Sequence, residues 1–174
     1  MSKTPQKQQN LYDRANSFGW ISIALHWLSA ILISALWLLG NSISYLEGME
    51  AESRRSLHIA TGLSVWALLA GRVIWRLISP HPHVKGQTDL THRGAKLTHH
   101  VMLGLIAVMI TSGPVMAWAL SEYASVASSA LKVHSTAATA LLILVILHVL
   151  ATLKHLMFHD DETISRIFIP RKLE

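Results

Sequence analysis

Four stretches of this chain are too long and too apolar to be at home in water. They run from about Trp20 to Leu39 (WISIALHWLSAILISALWLL), Leu57 to Ile78, Leu97 to Leu120 and Val133 to Phe158. A helix needs about 20 mostly apolar residues to cross a hydrocarbon layer of about 30 Å, and each stretch reaches that length. Lipid offers the backbone no hydrogen bonds, so each segment must close its own as a helix. The expected fold class is therefore all-α: a transmembrane four-helix bundle, with the turn-rich sequences GNSISYLEGME, SPHPHVKGQTDLTHRG and SEYASVASS between the runs. A hydrophobic content of 51% against 14% charged residues agrees with a membrane chain.

The organisation expected is a polar leader over residues 1–17, one membrane domain over 18–170 and a short tail over 171–174. The leader is poor in bulky apolar residues and reads as disordered. The first run is full membrane length and lacks a small-residue cleavage site, so it reads as an anchor and not a secretory signal. Lys and Arg set the orientation. With the N-terminus inside, the inner side collects Lys3, Lys7, Arg14, Arg72, Arg76, Lys85, Arg93, Lys96, Lys154, Arg166, Arg171 and Lys172, and the outer side keeps Arg54, Arg55 and Lys132. Both termini are therefore placed in the cytoplasm. The same asymmetry accounts for a pI near 9.8, so the positive charge does not call for a nucleic-acid partner.

Eleven histidines are many for 174 residues. His81, His83 and His92 fall in the inner loop and His159 heads an acidic turn, where water satisfies an imidazole. His26, His58, His134 and His148 lie inside or at the edge of the runs, and an ionisable residue there signals function. The first run leads outward and the fourth returns, so His26 and His148 share the inner depth. His58 opens the second run and His134 the fourth, both at the outer depth. His134 and His148 are fourteen positions apart. At about 100° and 1.5 Å per residue, that spacing returns to within about 40° of one helix face after about 21 Å of rise. Two sites stacked along the fourth helix follow, one per leaflet.

The ligand set narrows what binds there. Zinc usually takes four ligands, thiolates or carboxylates among them. This chain has no cysteine, and its ten Asp and Glu lie outside the runs. A cation pathway normally carries intramembrane carboxylates as well. Haem asks the protein for only two axial ligands, and a porphyrin wedged between helices needs small side chains one turn away. His26 is followed at that spacing by Ser29 and Ala30, His58 by Thr61 and Gly62, His134 by Ala137 and Ala138, and His148 by Ala151 and Thr152. His99, by contrast, is followed by Met102 and Leu103. Small residues also serve helix packing in membranes, but here they select the same four histidines. Without cysteine the two haems would be b-type and non-covalent, and bis-His ligation favours electron transfer. The competing class is a cation or metal transporter whose histidines bind the passenger ion.

Four blocks of sequence carry a resemblance over about residues 17 to 170: ISIALHWL around His26, RRSLHIATG around His58, GRVIWRLISPHP closing the second run, and LKVHSTAATALLILVILHVLATLKHLMFHDDETISRIF. Together they resemble the bacterial cytochrome b561 family of small inner-membrane di-haem proteins. The resemblance implies the same pairs, His26 with His148 and His58 with His134. It also implies electron movement across the inner membrane to or from quinone, and oxidation of superoxide coupled to quinone reduction. A cytochrome b subunit serving a separate dehydrogenase is the alternative within redox chemistry.

Other charged and ionisable residues take expectations from this frame. Arg54, Arg55 and Lys132 flank the outer histidines, where two readings stand: contacts to haem propionates, or a local positive field for an anionic reductant such as superoxide. Arg72 and Arg76, one turn apart, hold inner propionates or snorkel to lipid phosphate. His99, in KLTHHV at the inner end of the third run, is a candidate for quinone binding or proton exchange, with His100 pointing about 100° away. Trp20, Trp37, Trp75 and Trp118 suit the interfacial belts, and Pro114 predicts a kink in the third helix.

Overall fold

In the computed structural model, residues 11–14, 17–79, 82, 89–158 and 167–170 are described. The leader to residue 10, the tail from 171, His81, His83, Lys85, His159 and Arg166, and the side chain of His92, lie outside the described residues. Among the described residues five α-helices follow one another: α1 Trp20–Ser42, α2 Gly48–Ser64, α3 Trp66–Ile78, α4 Asp89–Ala119 and α5 Ala124–Phe158, with a 3-10 turn Ile43–Tyr45 between α1 and α2. Among the described residues there is no strand, only an isolated bridge between Arg14 and Ser17. Helices α1, α4 and α5 are each long and apolar enough to cross a membrane. Helices α2 and α3 meet that test together although bent by 45° where they join, which makes three spans or four.

The elements exceed the apolar runs, and the reason is local. Helix α2 begins at Gly48, with φ of +56°, and takes in MEAESRRS, residues that are polar but mostly good helix formers. Helix α5 begins at Ala124, so most of SEYASVASS is helix and not turn. Its hydroxyls fold back onto their own helix: Ser129 donates to the Ser125 carbonyl at 2.9 Å and Thr139 to that of Ser135 at 3.0 Å. The single second helix expected over Leu57 to Ile78 is two helices broken at Val65. Backbone bonding carries across the break, with Val65 N–H on the Thr61 carbonyl at 3.2 Å and Leu69 N–H on that of Val65 at 3.1 Å.

Leu69 of α3, Ile106 of α4 and Leu141 of α5 form the buried centre, and Ile33, Leu36, Val73, Met102 and Val145 pack around them. The most extensive helix contact is between α4 and α5. Ile31, Leu38, Ile143 and Leu150 point outward and are more than half exposed. Lipid is as apolar as leucine, so close packing, and not the hydrophobic effect, joins helices there.

Pro114 lies inside α4, which continues to Ala119. Proline has no N–H, so the Ile110 carbonyl loses its helical partner. Trp66 Nε1, at the α2–α3 break, donates to that carbonyl at 2.7 Å. The indole thus repairs in trans what the proline removed in cis. Trp66→Phe is expected to destabilise the protein by about 1 kcal/mol, read as a lower thermal midpoint in detergent. Adding Pro114→Ala restores a local donor and should recover most of the loss; equal losses in both proteins would refute the repair.

Asp13 ties the chain before α1 to α3. Its carboxylate accepts from Gly19 N–H at 2.8 Å, Ser22 Oγ at 2.7 Å and Arg76 Nη1 at 3.0 Å. Ser22 Oγ in turn accepts from Trp75 Nε1 at 2.7 Å. The pair is dry, with side-chain exposures of 6% for Arg76 and 0% for Asp13. Farther along the chain, the Ile167 carbonyl accepts from Trp27 Nε1 at 2.9 Å and Phe168 packs on the Trp27 ring at 5.0 Å between centroids.

Candidate functional site

The four intramembrane histidines stand on three helices: His26 on α1, His58 on α2, His134 and His148 on α5. All four are half-buried. Two of them face each other directly. The rings of His58 and His134 are 6.3 Å apart between centroids and nearly perpendicular, at 88°. The glycines beside them allow this approach. A Cβ at Gly40 of α1 would lie 3.0 Å from Cε1 of His58, and one at Gly113 of α4 would lie 3.3 Å from Cε1 of His134. Nδ1 of His58 is buried and, among the described residues, has no hydrogen-bond partner, although the Leu36 carbonyl faces its ring. Nδ1 of His134 lies 3.0 Å from Ser112 Oγ.

At the other end, His26 and His148 are near enough for their charges to interact. His148 also packs against His99 of α4, with centroids 5.2 Å apart and planes at 63°. Arg72 Nη2 lies 3.4 Å from Nδ1 of His26, and Trp27 meets the His26 ring edge-on at 5.5 Å. The hydroxyls one turn from these histidines are satisfied locally: Ser29 Oγ donates to the His26 carbonyl at 2.9 Å and Thr152 Oγ1 to that of His148 at 2.8 Å. Ser29 and Ala137, two of the small residues beside the histidines, are themselves buried.

The remaining candidates divide. Arg76 is engaged by Asp13 and lies over the Phe18 ring, 5.5 Å from its centroid. Arg72 is turned toward His26. Arg55 pairs with Glu52 one turn earlier on α2. Arg54 lines a hollow of about 480 Å³ with Leu46, Met49, Glu50 and Ser53. Lys132 is exposed on α5, and His100, also exposed, lies 2.7 Å through Nδ1 from the Lys96 carbonyl. Among the described residues no three His, Asp or Glu side chains come together as a cation would require. Paired imidazoles are what the arrangement offers, suited to a centre that needs two protein ligands.

Four contributors were not read from the sequence. Ser112 and Gly113 come from α4, a helix with no histidine at this level; the only trace is a small-residue pair before a proline. Gly40 ends the first apolar run and reads there as a turn former. Asp13 is a lone carboxylate, and its partner lies 63 positions away.

Comparison with known proteins places the arrangement. Residues 17–169 match the family described as prokaryotic cytochrome b561. The chain is also similar to cytochrome b561 homolog 2 of Escherichia coli strain K12, 29% identical over 170 residues, covering 86% of this chain and 90% of that protein. This chain therefore belongs to the prokaryotic cytochrome b561 family, multi-pass bacterial membrane proteins that transfer electrons on b-type haem.

Proposed function

We propose that the protein conducts electrons across the bacterial inner membrane through two bis-His b haems, between a small anionic reductant at the outer face and the quinone pool. In this reading α1, the bent pair α2–α3, α4 and α5 are four spans of one bundle, with both termini cytoplasmic. His58 and His134 would hold the outer haem, and His26 and His148 the inner one. The facing of His58 and His134 supports the reading most. Their centroids are 6.3 Å apart, a separation that would suit two imidazoles held by one metal through bonds of about 2 Å.

When bound, haem supplies an iron that changes oxidation state by one electron with little rearrangement of its six ligands. The chain's own residues do the rest. Gly40 and Gly113 let the outer imidazoles lie close to the backbone. Ligation through Nε2 puts the His26 proton on Nδ1, so Arg72, which can only donate, gives up that nitrogen and turns to a carboxylate such as a propionate. His99, packed on His148, is placed to exchange a proton with quinone at the inner level. Arg54, Arg55 and Lys132 give the outer face its positive charge and attract a reductant such as superoxide. Two superoxide ions would give two dioxygen molecules and two electrons, and one quinone would take up those electrons with two protons.

The test is made on protein purified with its haem. Superoxide, supplied enzymatically, should reduce the bound haem and convert added quinone to quinol, both faster at low salt. A protein that binds haem but responds to neither reagent would instead be a subunit waiting for a separate dehydrogenase, and a protein without haem would return the histidines to the transporter reading.

A further inference from the structure

Helix α4 supplies no histidine at the outer level, yet it fixes one there. Ser112 is buried, at 9% exposure. Its Oγ lies 2.6 Å from the Val108 carbonyl and 3.0 Å from Nδ1 of His134. A serine hydroxyl has a single proton. That proton is committed to the carbonyl, which can only accept, so Oγ faces the imidazole as an acceptor. Nδ1 of His134 must then carry the ring proton, and Nε2 the free lone pair. The Met109 carbonyl also faces this ring. Gly113 completes the cradle, for a Cβ there would lie 3.3 Å from Cε1. At the facing imidazole no hydroxyl takes this part: Nδ1 of His58 has no hydrogen-bond partner among the described residues, although the Leu36 carbonyl faces its ring.

We propose that Ser112 is a positioning residue that fixes the tautomer of His134 and makes Nε2 a stronger electron donor, so that the outer site has a lower reduction potential than its two imidazoles alone would set. The inference rests on the reading of His58 and His134 as ligands of the outer haem. A hydrogen bond accepted from the distal nitrogen raises the basicity of the ligating one, and a more basic ligand favours the oxidised metal. Helix α4 thus sets the outer potential without touching the metal.

The experiment is an optical redox titration of the haem-loaded protein for wild type, Ser112→Ala, Ser112→Thr and His134→Ala. His134→Ala identifies the outer transition by losing it. Ser112→Ala should keep the haem content and raise the outer midpoint alone, and Ser112→Thr, which keeps the hydroxyl, should titrate like wild type. If His134→Ala loses one transition while Ser112→Ala moves neither midpoint, the inference is overturned and the ligand assignment stands. If His134→Ala loses neither, the assignment fails and the inference with it. Should Ser112→Ala lose haem, recovery of content and potential in Ser112→Thr supports the hydroxyl's role, and a matching loss in Ser112→Thr overturns it in favour of packing.

Discussion

Replacement of His134 by alanine is expected to remove about half of the haem from the purified protein, and His58→Ala should remove the same spectral component. His26→Ala and His148→Ala should both remove the other. Loss of a partner hydrogen-bonded to a ligand commonly lowers metal affinity about 10–100-fold, and loss of the ligand itself lowers it further. The effect should be confined to one end of the molecule, because the two pairs share only α5. His99→Ala and His100→Ala are the controls and should retain both components. A chemical rescue sharpens the test: His58→Gly, supplied with free imidazole, should regain the missing component, since Gly40 leaves space where that ring lay. Haem per chain and reduced-minus-oxidised spectra decide the matter. Any outcome in which His58→Ala and His134→Ala remove different components would break the pairing.

The second large effect concerns stability. Asp13→Ala takes its carboxylate partner from the Arg76 guanidinium, which has almost no access to solvent. Removing one partner of a buried ion pair typically costs about 3–5 kcal/mol, because the other charge stays buried. Ser22 and Gly19 N–H lose their acceptor in the same substitution. The double variant Asp13→Ala with Arg76→Leu removes both charges and should recover most of the stability, as buried pairs replaced by apolar groups often do. Denaturation in detergent, followed by helix signal and by haem absorbance, reads both proteins. If Asp13→Ala unfolds at the wild-type midpoint, the leader is not fastened in this way.

These two predictions came within reach of the sequence to very different degrees. The haem candidates were legible because hydropathy marks where an imidazole is out of place, and helical spacing then aligns His134 with His148. The break at Val65 was not, because the segment around it contains no proline and its bend coincides with the contact that Trp66 makes to another helix. The early start of α2 was missed for a different reason. Its first turns are polar, and an apolar run measures depth in lipid and not the extent of a helix. Arg76 was read as facing a propionate or lipid because its chemistry demands an anion, and the sequence alone did not show that the anion would be Asp13. Ser112 is the hardest case: it is one small residue before the kink expected at Pro114, and only the fold brings its hydroxyl to His134.

The stitching of Asp13 and Ile167 onto the first helix has a consequence for biosynthesis. Helix α1 leaves the ribosome first, but Trp27 must wait 140 residues for the carbonyl it will hold, and Asp13 must wait for Arg76. At about 5–20 residues per second, the 140 residues between Trp27 and its carbonyl take about 7–28 s to make, and through that interval α1 lacks the contact. Helix α1 is accordingly expected to settle only after the later helices have been made, and a chain truncated before Ile167 should lose that fastening while it keeps the Asp13–Arg76 pair.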